Sequence, residues 1–113
     1  MKIINYSDIP ANALGIPGAK DVTVRLLVGA EDGAQNLVMM LLTLAQGGHT
    51  PDHHHSWEEE IFVKSGKGIV KTKEGEKPIH AGVVMYFGPD EKHQFINIGS
   101  EPLECICMIP RRK

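Results

Sequence analysis

Twelve glycines and seven prolines divide this chain into apolar runs too short for the helices of a bundle. No segment keeps apolar residues on a sustained 3.6-residue period. Val22-Thr23-Val24-Arg25-Leu26-Leu27-Val28 is rich in β-branched and aliphatic side chains and closes at Gly29. Leu37 to Leu44 is apolar almost throughout, as a strand covered on both faces is. Glu59 to Lys64, Gly68 to Lys73, Val83 to Phe87, Gln94 to Ile98 and Leu103 to Ile109 follow. Between them lie the turn signals Ser65-Gly66, Glu74-Gly75, Gly88-Pro89-Asp90 and Gly99-Ser100. Short strands at such intervals predict an all-β sandwich or barrel. Residues 1–20 read as an irregular lead-in, most plainly from Ala11 to Lys20, where Gly15, Pro17 and Gly18 fall.

A chain of 113 residues is one domain with one modest core. Twelve Lys and Arg against 14 Asp and Glu leave a net charge of −2, which argues against a nucleic-acid partner. The basic ending Arg111-Arg112-Lys113 reads as a solvated tail. The longest apolar run, Leu37 to Ala45, falls well short of the roughly 20 residues of a membrane helix. The start, MKIINYSDIP, lacks the apolar region and cleavage site of a signal peptide, so a cytoplasmic location is expected. Cys105 and Cys107, at i and i+2 on a strand, stand about 6.5 Å apart on one face. That is close to the upper limit for a disulfide, and two free thiols are expected.

The chemistry lies in GGHTPDHHHSWEEEIFVKSG, residues 47–66, and in GPDEKHQFIN, residues 88–97. On an extended chain His53 and His55 point to one side and His54 to the other. If Ile61 and Val63 face a core, Glu59 enters the interior with them and Glu60 stays outside. His93, Phe95 and Asn97 form a second same-face set. A lone H-x-H is commonly a surface feature and a run of Glu a solvated face, and His49, His54 and His80 read as solvated. The combined spacing is far more specific. His53, His55, Glu59 and His93 are therefore the expected ligands of a divalent transition metal. Imidazoles suit Mn, Fe, Co, Ni, Cu or Zn, and one carboxylate shifts preference toward Mn or Fe. Four ligands on an octahedral ion leave two positions for water, a chelating substrate, or substrate plus dioxygen.

These motifs resemble those of the cupin superfamily. Gly47, His53, His55, Glu59 and Gly66 match the first motif, and Gly82, His93 and Asn97 match the second. Gly88 stands where proline is usual, with Pro89 one place on, and Asp90 stands where glycine is usual. Asp tolerates a left-handed turn, so the loop is expected to survive. The resemblance covers roughly residues 37–109. It implies a small double-stranded β-helix, or jelly-roll barrel, with the metal inside one end and usually a homodimer. Ser56 to Val63 and the ending Cys107-Met108-Ile109-Pro110 also resemble a small group of thermophile manganese cupins. Some members carry a fourth His where this chain has Glu59.

Cupin functions range from dioxygenases, decarboxylases, isomerases and lyases to binding modules, so the cavity wall must discriminate. The expected inward residues are Ile61, Val63, Met85, Phe87 and Phe95, with Cys105 and Cys107 on the last strand and Met39 or Met40 as a further thioether. The motif strands offer no Lys or Arg near the ligands, with Arg25 the best exception. An apolar pocket around an open Mn or Fe site suggests an oxygenase-like enzyme acting on a small chelating substrate. Glu59 and Cys107 are its candidate catalytic groups. The alternatives are a non-catalytic metal- or small-molecule-binding protein, and a metal-assisted isomerase or lyase of a small acid with Glu59 or a metal-bound hydroxide as base. Phe62, outward by parity, or the strand from Val22 to Val28 marks the candidate dimer contact.

Overall fold

The computed structural model describes residues 1–112, so Lys113 of the basic ending lies outside the described residues. Its strands are β1 (Asn12–Ala13), β2 (Lys20–Val28), β3 (Leu37–His49), β4 (Glu59–Ser65), β5 (Lys67–Thr72), β6 (Gly75–His80), β7 (Val84–Phe87), β8 (His93–Ile96) and β9 (Leu103–Pro110). Every strand expected from sequence is present, and the all-β expectation holds. The strands form one curled antiparallel sheet in the order β6-β5-β8-β3-β9-β4-β7, with β2 pairing β3 and β1 pairing β2. No helix among the described residues is long and apolar enough to cross a membrane.

Side-chain parity sorts the two faces. In β4, Glu59, Ile61 and Val63 are buried while Glu60, Phe62 and Lys64 are exposed. In β9, Leu103, Cys105 and Cys107 are buried and Glu104, Ile106 and Met108 are not. Opposed residues share a face, so Ile61 meets Cys107 and Val63 meets Cys105 across β4–β9, and Leu42 meets Cys105 across β3–β9. With Val22, Leu44, Val70, Ile79, Phe87 and Phe95 these form the core. Burying each large apolar side chain contributes about 1.5–3 kcal/mol, which makes this face the main source of stability. The turn from β4 to β5 requires Gly66: its φ is 86°, and a Cβ there meets the Pro102 carbonyl oxygen at 2.3 Å. Asp90 takes φ 65°, as expected of the residue standing in for glycine.

β6 is the strand the sequence hid. Its stretch GEKPIH is polar and contains Pro78, yet it pairs β5 through the Glu74-Gly75 turn. It lies at an end of the strand order, where proline is tolerated because only one side of the strand needs donors. β3 lies between β2 and β9, and adjacent Leu41 and Leu42 are only 1% and 8% exposed, so both of its faces are covered. The lead-in helps to cover it. Arg25 stands opposite Leu41, and its guanidinium donates to the carbonyls of Tyr6, Ser7 and Ile9. Residues 1–20 are therefore not irregular throughout. Tyr6–Asp8 form a short 3-10 turn, and β1 pairs β2. This also corrects Arg25 as a site cation, because its partners lie on the outer face.

Candidate metal centre

The segment between β3 and β4 carries His53 and His55 and is fastened to β8 and to the turn before it. Thr50 N–H donates to Phe95 O at 3.0 Å, and Thr50 Oγ1 accepts from Phe95 N–H at 2.9 Å. His93 N–H donates to His53 O at 3.1 Å, and Asp90 N–H to His55 O at 2.7 Å. Glu59 opens β4 and His93 opens β8, so both enter from strand ends on the same mouth of the sheet. One donor atom from each of His53, His55 and His93 lies within 4.8 Å of the others. Glu59 Oε2 lies 3.1 Å from His55 Nε2 and 3.4 Å from His93 Nε2. The four residues expected to converge do converge. His54 and Glu60 face out, and the His54 ring approaches the Asp90 carboxylate at 3.7 Å. His80 is exposed as expected, but His49 is half-buried, with Nδ1 3.2 Å from Thr50 O.

The hydrogen bonds behind the imidazoles suit a metal. His55 Nδ1 lies 2.8 Å from Trp57 O, and His93 Nδ1 lies 2.9 Å from Glu91 O. A carbonyl only accepts, so each Nδ1 carries a proton and donates, which directs the Nε2 lone pair inward. Two inward lone pairs facing a carboxylate need a cation among them, either a proton or a metal ion. The donor set of three imidazoles and one carboxylate fits a divalent transition metal. Without one, burial alone drives the His93 pKa down, but its bonds to Glu59 and the Glu91 carbonyl outweigh this and raise it. Burial likewise pushes Glu59 up, and the His93 and His55 contacts bring it below its ordinary value. His53 is lowered, first by burial and then by the neighbouring imidazoles. The ligands are also buttressed by rings: Phe87 stacks on His93 at 4.4 Å, and Trp57 stacks on His55 at 4.3 Å and 4°.

Above the ligands opens a cavity of about 230 Å³. Its wall corrects several expectations. Phe95 lines it, but Ile61, Val63, Met85, Phe87 and Cys107 do not. Ile61, Val63 and Cys107 fill the solid core, Phe87 supports His93, and Met85 packs against the core from the side. Parity places a residue inside the barrel but does not give its depth, and β4 and β9 pair side by side where the interior is filled. Cys105 and Cys107 are free, as expected, and both are 0% exposed. Burial, with the nearby Glu59 carboxylate adding to it, pushes the Cys105 thiol up to about 12 and Cys107 well above its ordinary value. As a catalytic candidate Cys107 therefore lacks both access to the cavity and a ready thiolate.

The actual wall comes from distant segments: Leu14 and Ile16 from the lead-in, Val24 from β2, Met40 and Leu42 from β3, and Ile109 from β9. Met40 is thus the cavity thioether, and Met39 lies on the other face. Trp57 and Arg112 complete the rim. Arg112 is exposed, as expected of the basic ending, and its guanidinium carbon sits 3.8 Å over the Trp57 ring. Trp57, the chain's one tryptophan within the first motif, could have been flagged. Arg112 carried no local signal.

Fold and side-chain cluster define a small β-barrel with a His53, His55 and His93 group that could hold a metal, and the chain belongs to the cupin family: the Cupin_2 model, described as "Cupin domain", matches residues 40–109. It is 33% identical over 116 residues to Auxin-binding protein 1 of Arabidopsis thaliana, covering 95% of this chain and 58% of that protein. It is 31% identical over 93 residues to Auxin-binding protein T85 of Nicotiana tabacum, covering 82% of this chain and 46% of that one. The chain thus spans about half the length of the curated relatives it matches. The polyketide cyclase RemF from Streptomyces resistomycificus superposes with a TM-score of 0.94 at 27% identity, over 99% of this chain and 80% of that one. A predicted oxalate decarboxylase from Thermotoga maritima superposes with a TM-score of 0.85 at 22% identity, over 98% and 100%, a likeness of fold alone.

Proposed function

We propose that this protein is a metal-dependent enzyme that holds a small, oxygen-chelating, largely apolar organic molecule and activates it at the metal. The observation that carries this reading is the convergence of His53, His55, His93 and Glu59 at the base of an open cavity whose walls are mainly aliphatic and aromatic. A bound divalent metal supplies Lewis-acid polarisation of the substrate's chelating oxygens. His55 and His93 present Nε2 because Trp57 O and Glu91 O hold their Nδ1 protons. Leu14, Val24, Met40 and Phe95 exclude water from the substrate body and strengthen the polar contacts below. Among the described residues Glu59 is the one carboxylate lining the cavity, so it is the group able to take a proton from an acidic C–H of the substrate. Mn or Fe suits the mixed ligand set best, with Ni, Zn, Co and Cu as the other candidates.

The reaction favoured is non-oxidative proton transfer with cyclisation or isomerisation, supported by the 27% identity to a polyketide cyclase. A second reading is oxidation of the same kind of substrate by dioxygen, favoured by the convergence of His53, His55, His93 and Glu59, which would leave an octahedral ion two positions for substrate and dioxygen. Elemental analysis of natively purified protein, followed by turnover of chelating β-dicarbonyl and catechol substrates with and without oxygen, tests both. Anaerobic turnover supports the first, and strictly oxygen-dependent turnover supports the second. Metal-dependent binding without turnover under either condition makes the protein a binder and overturns both. The proposed assembly is a homodimer through the outer face of β4 and β7. Phe62, Val84 and Tyr86 are exposed there at 46%, 74% and 56%, beside the free edge of β7.

A further inference from the structure

The cavity's rim carries a cation that the metal centre does not use. Among the described residues Arg112 is the only Lys or Arg that lines the cavity, and Glu59, the only carboxylate side chain, is turned to the imidazoles below. Among the described residues no carboxylate pairs with Arg112. Its position is nonetheless fixed on two sides. Arg111 anchors the chain just before it, donating N–H to Asn36 O at 2.8 Å and a guanidinium N–H to Ala34 O at 2.9 Å. The Arg112 guanidinium then rests on Trp57 at 3.8 Å, and Trp57 in turn stacks on His55 at 4.3 Å. A guanidinium lying on an indole has its face occupied, while its five N–H donors remain around its edge. The same indole that supports a metal ligand therefore carries an available cation, one ring away from the ligand.

We propose that Arg112 is a specificity-determining anchor, so that the preferred substrate has a metal-chelating head, an apolar body and an anionic group at its far end. The inference rests on the metal reading above and adds the substrate's charge and polarity pattern to it. The aliphatic wall between the two ends, Val24, Met40 and Leu42, offers nothing polar to a substrate body. A carboxylate reaching the rim meets an in-plane, bidentate donor pair on the exposed Arg112 guanidinium, held in place by the Trp57 ring beneath it. A neutral group of the same shape gains no ion pair and leaves the guanidinium as it was.

The test uses a matched pair of ligands on the zinc-loaded full chain under nitrogen. In 3,4-dihydroxybenzoate a catechol chelates at one end and a carboxylate projects from the other, and 3,4-dihydroxybenzamide replaces that charge with an amide. Calorimetric titration measures both affinities, with quenching of the single Trp57 as a second readout. The wild type is expected to prefer the acid by about fivefold, the upper end for an ion pair on an exposed guanidinium. Arg112→Gln is expected to bring acid and amide within about twofold by weakening the acid alone, and Arg112→Lys to restore part of the preference. Zinc stoichiometry, measured on each variant, must stay at the wild-type value. Equal wild-type affinities that still need zinc, or a preference that survives Arg112→Gln, overturn the anchor and leave the metal reading standing. Zinc-independent binding of both ligands, or no binding of either, overturns the metal reading and the anchor with it.

Discussion

Asn97 shares the second motif with His93, yet the structure gives it no part in the ligand cluster. It is 1% exposed, and its side chain makes three hydrogen bonds to the backbone. Its amide donates to Leu44 O and Glu101 O, and its Oδ1 accepts from Gly99 N–H, each at 2.9 Å. The side chain thus ties β3 to the turn before β9. Asn97→Ala removes all three bonds. The Leu44 carbonyl and Gly99 N–H are left buried without these partners, at roughly 1–3 kcal/mol each. The Glu101 carbonyl, only partly buried, can turn to water and adds little. The expected loss is about 3 kcal/mol, a large fraction of the 5–15 kcal/mol typical of a domain. With a Tm sensitivity of roughly 4 °C per kcal/mol for a domain of about 100 residues, the melt should fall by about 12 °C. Urea and thermal melts in EDTA isolate this from metal linkage. Asn97→Asp is the sharper probe, because it keeps the acceptor for Gly99 and turns a carboxylate oxygen toward two carbonyls. Its folded pKa should be raised, so its deficit should shrink as pH falls and a protonated oxygen can donate. A loss below about 1 kcal/mol, or metal stoichiometry that falls while stability holds, refutes the structural assignment.

Other outcomes test the remaining assignments. Single Ala variants of His53, His55, Glu59 and His93 should each lower bound metal by mass spectrometry, while His54→Ala, whose ring is exposed, should bind as the wild type does. Loss with His54→Ala and retention with His53→Ala would reverse the register. Burial works against the Glu104 carboxylate, but its bonds from Lys64, Ser65 and Thr43 outweigh this and hold its pKa below the ordinary value. Its contribution is therefore present above the unfolded carboxyl pKa and lost as pH falls through the lower folded value. Glu104→Gln should flatten the acid limb of the stability curve, and an unchanged limb counts against the network. Light scattering at micromolar concentration should give a dimer, and Phe62→Asp a monomer; a wild-type monomer sinks that interface. Neither Cys105 nor Cys107 should react with a thiol reagent until urea unfolds the protein, and fast labelling of Cys107 in the native state would place it in the cavity after all.

The ligand set was legible because parity is a local property. A period of two decides which of His53, His54 and His55, and which of Glu58, Glu59 and Glu60, turns inward, whatever the rest of the chain does. The same rule placed Phe62 outside and Cys105 and Cys107 inside. Asp90 was legible for a similar reason, since its left-handed backbone is a property of the residue and its loop. β6 was hidden because Pro78 and its polar neighbours lack a strand pattern, and only the pairing with β5 makes the stretch extended. The cavity wall was illegible in principle. Ile61 and Phe95 have equivalent inward parity, yet one is packed and the other lines open space, because depth depends on which strands lie opposite. Leu14, Trp57 and Arg112 come from three separate parts of the chain, and only the curl of the sheet brings them over the ligands. Local sequence thus determined every strand but β1 and β6, the facing of those strands and the donors. The tertiary structure decided the volume above those donors and the charge at its rim, since both arise from contacts between residues far apart in the chain.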